Sequence, residues 1–198
     1  MTDAAIKAMI HLLDDSDQEV VSMVEQQIRT LGPSIIPVLE SEWETESLNP
    51  ILQTKIENLI HDFQWQSVKT RLQVWKESGG MDLLEGMWIL ATYRYPDYSF
   101  DDLKLEMDQL YYEVWPQMRE EIHPMDQVKV LNAVIFDQLK FGPNTKNFHA
   151  ANNSFINNVL TSKKGNPISL CVIYMWIAQK LGMPVYGVNL PNLFVLTH

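Results

Sequence analysis

The stretch that decides the fold lies near the end of the chain, where residues 153–196 read NSFINNVLTSKKGNPISLCVIYMWIAQKLGMPVYGVNLPNLFVL. Asn166 followed by Pro167 is typical of a helix start, because asparagine caps the first turn and proline is favoured at the first helical position. The apolar run that follows predicts a buried helix ending at Gly182. The segments VYGVNL and FVLT alternate or run apolar in the manner of strands. The stretch therefore predicts a helix packed on a small sheet.

Upstream, the first 78 residues carry a helical pattern in four segments. Ser16, with Glu19 three residues later, makes a capping box that opens the second segment. Asn49 and Pro50 supply the N-cap and first-turn proline of the fourth. Two antiparallel helix pairs joined by short loops resemble HEAT-like repeats in their pattern. We therefore predict a HEAT-like helical segment over residues 1–78.

A boundary is predicted at the run Ser78, Gly79 and Gly80, which favours a turn or linker. The second predicted domain covers residues 81–198, with several amphipathic helices, a polar loop over residues 141–152, and the helix and strands described above. The fold class predicted is mainly α, becoming α+β at the C-terminus, with a helical layer against a small antiparallel sheet.

Composition excludes several functional classes. The 198 residues carry a formal net charge of -10, which makes nucleic acid and anionic membrane poor partners. No apolar run is long enough to span a membrane, and the acidic N-terminus does not resemble a signal peptide. Cys171 is the sole cysteine, so no internal disulfide forms, and no Cys and His cluster predicts a metal site. We expect a cytoplasmic protein with no cofactor.

A set of residues within the deciding stretch carries a family resemblance. The set consists of Asn153, Ser154, Asn157, Gly165, Asn166, Pro167 and Ser169, followed by LGMPVYGVNLP, which ends at Pro191, and then Phe194. This pattern resembles the SirB-type transglutaminase-like family, in which a helical region precedes a second transglutaminase-core domain. The resemblance runs from about Leu83 to the last residue. It implies a fold related to papain-like and transglutaminase-like enzymes.

The same resemblance implies where catalytic residues would lie. In active relatives a cysteine opens the central helix, a histidine follows on the next strand, and an aspartate comes from the strand after that. Here Pro167 holds the helix-opening position, as it generally does in the SirB-type family. Leu193 stands where that family usually has histidine, in the run Pro191, Asn192, Leu193, and the chain reaches His198 before any strand that would bring the aspartate. We expect that these residues form no triad.

Two side chains are candidate substitute nucleophiles. Cys171 lies one helical turn after Pro167, but its apolar neighbours indicate a buried thiol with a raised pKa. Ser169 lacks the glycine-flanked elbow of serine hydrolases, and a hydrogen bond within the helix cap is its expected role.

Two histidines are candidate bases. His149 lies in the polar loop and could approach the cleft, whereas His198 is expected to be solvated. The asparagines Asn153, Asn157 and Asn166 are expected to tie loops and caps to the central helix. Their alternative role is to bind a ligand in a vestigial cleft.

The sequence therefore supports two readings of different class. The first is a non-catalytic protein that binds or scaffolds a protein or peptide partner, in an oligomeric state that the sequence leaves open. The alternative is a cysteine-dependent hydrolase or acyl transferase that uses Cys171, with His149 or a partner-supplied base. A third possibility is that the chain is a fragment, whose missing part completes both the sheet and the site.

Overall fold

The computed structural model of the protein describes residues 2–45, 49–118, 123–191 and 193–198. The chain divides into two compact units, Met1–Arg71 and Leu72–His198. A single long helix, Pro50–Glu77, runs through the division between them. The domain boundary expected at Ser78 to Gly80 lies just past the end of this helix and stays a prediction.

The first unit is built from helices with one apolar face each. In chain order they are α1 (Asp3–His11), α2 (Gln18–Leu31), α3 (Ile36–Trp43) and α4 (Pro50–Glu77). Their inward faces form one core whose most deeply buried side chains are Ile10, Leu13, Ile28, Leu39 and Ile56. The likeness of this unit to HEAT repeats remains a prediction from the sequence pattern.

Two helix starts in the first unit test the capping predictions. Asn49 accepts a hydrogen bond from the amide of Ile51 over 3.0 Å, as the sequence indicated. The capping box expected at Ser16 is wrong by one residue, because α2 is capped by Asp17. The Asp17 carboxylate accepts from the amide of Glu19 over 2.9 Å, and a charged acceptor suits the positive end of a helix better than a hydroxyl.

The second unit contains five helices and two short sheets within its described residues. The helices are α5 (Leu83–Ala91), α6 (Phe100–Val114), α7 (Pro124–Asn132), α8 (Ile156–Ser162) and α9 (Pro167–Lys180). A π-helical turn, Ala133–Gln138, extends α7. The strands are β1 (Gly142–Pro143), β2 (Lys164–Gly165), β3 (Tyr186–Leu190) and β4 (Leu193–Thr197).

Helix α9 is the centre of the second unit. Val172, Ile173, Ile177 and Ala178 are all buried in its core, together with side chains of α5, α6 and α8. Because apolar residues surround α9 on several sides, its sequence shows no single apolar stripe. The apolar run in the deciding stretch therefore forms a buried helix, as predicted.

The sheets are partly predicted and partly new. Strands β3 and β4 form the antiparallel hairpin expected from the sequence, with Tyr186 opposite Thr197. Strands β1 and β2 pair in parallel within and beyond the segment interpreted as a polar loop. Two residues are too few to show an alternating pattern, so this pair carried no sequence signal. The mainly α class with a small antiparallel sheet is confirmed, and no helix among the described residues could cross a membrane.

Gly165 in β2 occupies a position that admits no side chain. A Cβ there would lie 2.5 Å from Ser169 Oγ and 2.9 Å from Val159 Cγ1, well inside normal contact distances. Because both neighbours are buried in the core, neither can move away without disturbing its own packing. The glycine thus allows β2 to lie directly against the first turn of α9.

Replacing Gly165 with alanine is therefore expected to lower the free energy of unfolding by about 1–3 kcal/mol, the usual cost of overpacking. The matched control is Gly142→Ala in the paired strand, where the new Cβ would meet only Lys164 Nζ at an ordinary 3.5 Å. Urea unfolding followed by circular dichroism measures both variants. Equal stability of the two would contradict the close contact at Gly165.

Candidate functional site

The candidate site is built around the first turn of α9. Asn166 is the N-cap, and its Oδ1 accepts a hydrogen bond from the amide of Ser169 over 2.8 Å. Pro167 follows in the first turn, as the sequence predicted. Because the cap already occupies the Ser169 amide, less partial positive charge is exposed at this helix start than at an uncapped one.

Asn153 holds the loop that precedes α8. Its side chain is almost fully buried, yet each polar atom is paired. Its Nδ2 donates to the carbonyls of Asn147 at 2.8 Å and Phe148 at 2.9 Å, while its Oδ1 accepts from Asn144 Nδ2 at 2.9 Å. One buried amide thus fixes three points of the 144–148 loop.

The backbone of the same residue holds the start of α9. The Asn153 carbonyl accepts from the amide of Asn166 at 3.2 Å and from the hydroxyl of Ser169 at 2.9 Å. Asn166 Nδ2 in turn donates to Ser154 Oγ at 2.9 Å. Ser169 is completely buried, and the single proton of its hydroxyl is shared between the carbonyls of Asn153 and Asn166. The hydroxyl of Ser169 therefore has the structural role expected from the sequence and is not accessible to a substrate.

A first cavity, of about 490 Å³, opens beside this helix start. It brings together six of the residues that the sequence singled out, namely His149, Asn153, Ser154, Asn166, Pro167 and Leu193. Large apolar side chains form much of its rim: Phe148, Ile168, Leu190 and Leu193 are each roughly half exposed. The cavity thus combines a wall of hydrogen-bonding groups with an exposed apolar edge.

A second cavity, of about 560 Å³, lies beyond Pro167, which lines both cavities. Its lining is mainly apolar and includes Cys171, Tyr174, Phe136 and His198. The rings of Phe136 and Tyr174 stack with their centroids 6.0 Å apart. Burial raises the pKa of the Tyr174 phenol to about 12 and also raises the pKa of the half-buried Cys171 thiol. Both groups are therefore neutral at physiological pH.

The structure separates the two members of the predicted alternative dyad. His149 lines the first cavity, whereas Cys171 lines the second. The side chain that shares a cavity with Cys171 is instead His198. In the described part of the chain, no three His, Cys, Asp or Glu side chains come close enough to hold a metal ion.

Two other residues of the family resemblance, Asn157 and Pro191, are not among the lining residues of either cavity. Asn157 is on α8, and its Oδ1 is buried without a hydrogen-bond partner among the described residues. Pro191 is exposed in the turn between β3 and β4, and Asn192 lies outside the described residues.

One property of the site was missed by the sequence reasoning, although the sequence contains it. All 25 Asp and Glu residues lie at or before Asp137. Residues 138–198 contain five lysines and no Asp, Glu or Arg, so this part has a formal net charge of +5 within a chain of -10. The overall charge concealed this asymmetry. We call residues 138–198 the carboxylate-free part. It supplies all the described lining residues of the first cavity and most of those of the second.

A family model and several known proteins resemble this chain, and the family model matches the part that contains the site. Residues 101–198 match the family model described as the transglutaminase-like superfamily. F-box only protein 21 of Mus musculus is 40% identical over 77 residues, which is 38% of this chain and 12% of that protein. The UPF0162 protein of Xylella fastidiosa is 31% identical over 132 residues, covering 63% of this chain and 46% of that protein.

A UPF0162 protein of Vibrio cholerae is 25% identical over 117 residues, or 59% of this chain and 43% of that protein. The chain thus spans less than half of the length of each of these relatives. No solved structure is a significant match. The family-model match and the relatives together support a transglutaminase-like domain in the second part of the chain.

Asn153→Ala removes three part-buried hydrogen bonds of a buried side chain. We expect the free energy of unfolding of the variant to fall by about 2 kcal/mol or more, since each lost hydrogen bond costs about 0.5–1.5 kcal/mol. Asn152→Ala is the control, because Asn152 is exposed and immediately adjacent. Chemical denaturation compares the two, and a loss no greater than that of the control would show that the Asn153 amide does not hold the loop.

Proposed function

We propose that the chain carries a SirB-type transglutaminase-like domain that is not catalytic and acts as a binding or scaffolding module for a protein or peptide partner. The observation that carries this proposal is the opening of α9. Its first turn presents Pro167, which has no nucleophilic atom, and the nearby hydroxyl of Ser169 is completely buried and donates to backbone carbonyls. The sole cysteine, Cys171, fits the reducing cytoplasm proposed as its location.

The loss of the nucleophile has a large expected effect. Members of a catalytic triad act as a unit, so removal of one abolishes most of the rate advantage of all three. Leu193, which stands in place of the histidine expected from the family resemblance, lines the first cavity as an exposed apolar side chain. That position therefore supplies apolar contact where a catalytic relative would supply a base.

The two cavities support binding in place of catalysis. Each falls within the roughly 300–1,000 Å³ range of sites that accept small molecules or single side chains. The exposed apolar rim of the first cavity is the kind of surface that marks interaction sites. A peptide partner matches this combination of apolar and hydrogen-bonding groups.

A second candidate function is a cysteine-dependent hydrolase or acyl transferase. One observation favours it: Cys171 and His198 line the same cavity. The raised pKa of Cys171 opposes it, because the reactive species is the thiolate and active-site cysteines have depressed pKa values. The distinction between the two functions therefore depends on how readily Cys171 ionises.

Alkylation of Cys171 tests the two functions directly. Since burial raises its pKa, the folded protein is expected to react with iodoacetamide at neutral pH at least about tenfold more slowly than the same protein unfolded in urea. The rate should still be increasing with pH above about 8.5, the ordinary thiol value. Mass spectrometry measures the modified fraction, and Cys171→Ser is the blank.

Rapid modification of the folded protein with a rate that levels off below neutral pH would contradict the non-catalytic proposal. Such a profile would report a thiolate at physiological pH and support the hydrolase. Because the chain has a single cysteine, the signal has one source.

A further inference from the structure

The lysines of the carboxylate-free part lie on segments of backbone that are bonded to one another. Lys164 Nζ donates to the carbonyl of Lys140 at 3.2 Å, and the Lys163 carbonyl accepts from the amide of Gly142. Lys146 lies in the loop that Asn153 anchors, three residues before His149 of the first cavity. We refer to Lys140, Lys146 and Lys164 together as the lysine surface.

These three lysines form no ion pair with a carboxylate within the part of the chain that the structure describes, whereas the partly buried Lys163 interacts with the charge of Glu106 and is left out of the surface. The ion pairs found there include five other lysines and arginines with Asp or Glu, for example Lys129 with Asp126 at 2.8 Å. Lys140, Lys146 and Lys164 are also exposed. Their charges are therefore available to an external anion.

The adjoining first cavity has hydrogen-bonding groups that are still available. Neither the imidazole of His149 nor the side-chain amide of Asn189 makes a hydrogen bond to any described residue. The hydroxyl of Ser154 accepts one bond from Asn166 and keeps its proton to donate. An imidazole, an amide and a hydroxyl together are suited to the alternating donors and acceptors of a peptide backbone.

From these observations we infer that the lysine surface and the first cavity bind an acidic peptide segment, with an apolar side chain of that segment seated against Leu190, Leu193 and Ile168. The inference rests on the proposed binding function and adds the charge and shape of the partner. Among the residues that the structure describes, no Asp, Glu, Lys or Arg lines the cavity itself, so the inserted side chain is apolar and the acidic groups flank it.

The same charges favour a peptide over other anions. Within the second unit, residues 72–137 carry five Lys and Arg against 13 Asp and Glu, a formal net charge of -8. A long polyanion such as nucleic acid, or an anionic membrane, would meet this charge as well as the lysines. A short acidic segment can contact the lysine surface alone. The apolar rim also has no counterpart on a sugar-phosphate backbone.

Fluorescence anisotropy with the whole chain tests the inference. The probe is a short blocked peptide with a central leucine flanked by glutamates, compared with versions in which glutamine replaces glutamate or serine replaces leucine. We expect the acidic leucine peptide to bind about tenfold more tightly than either, and its affinity to fall with added salt, because exposed charges are screened.

Variants assign the binding to the proposed surface. Lys146→Glu and Lys164→Glu are each expected to weaken binding about fivefold or more, whereas Lys129→Glu makes the same charge change elsewhere and should alter it less than about twofold. Leu193→Ser should weaken binding about fivefold by removing apolar contact. Its control is Leu105→Ser, an equally exposed leucine on α6.

Several results would overturn the inference. If the glutamine peptide binds as tightly as the glutamate peptide, the partner need not be acidic. If the lysine variants weaken binding no more than Lys129→Glu does, the peptide does not bind at the lysine surface. Tighter binding of a single-stranded oligonucleotide or of anionic vesicles, lost in Lys146→Glu, would assign the lysines to another class of partner. Self-association abolished by Lys146→Glu in sedimentation would assign them to a second copy of the chain.

Failure of this inference is distinguishable from failure of the proposed function. A glutamine or lysine peptide that binds through Leu193 while Cys171 remains unreactive would leave the binding module standing and refute only the acidic partner. Cleavage or acyl transfer that Cys171→Ser abolishes would refute the binding module itself, whatever the charge of the peptide.

Discussion

The buried side-chain amide of Asn153 is the constraint on which the candidate site depends. A polar group this deeply buried is tolerated only when its hydrogen bonds are satisfied, so its partners must stay in place. Those partners are three points of the 144–148 loop, while its own backbone carbonyl holds Asn166 and Ser169. One residue therefore links the loop that carries His149 to the first turn of α9, and the first cavity is lined from both.

This arrangement fixes the helix start that the family resemblance singles out. In active relatives of the wider transglutaminase-like group, the opening of the central helix would place a nucleophile. Here the same position is built by Asn166, Pro167 and Ser169, and the Ser169 hydroxyl is completely buried with its proton directed at backbone carbonyls. The proposed binding function requires the shape of this helix start and not the reactivity of its side chains.

Local signals in the sequence predicted most of the architecture. The Asn166 cap, the apolar run of α9 and the β3–β4 hairpin each depend on neighbouring residues, and the structure has all three. The β1–β2 pair joins segments about twenty residues apart through two residues each, and no periodicity can report that. The assignment of Cys171 and His149 to different cavities depends on tertiary packing in the same way. The charge asymmetry was readable and was hidden only by averaging over the chain.

Site-resolved amide hydrogen exchange tests whether the Asn153 side chain organises the start of α9. The Asn144 amide bonds to the Gly165 carbonyl and the Asn166 amide to the Asn153 carbonyl, so both report on the link. In Asn153→Ala, we expect these two amides to exchange at least about tenfold faster, while the Ile173 amide, in the middle of α9, stays protected. Unchanged protection at Asn144 and Asn166 would contradict this role of Asn153.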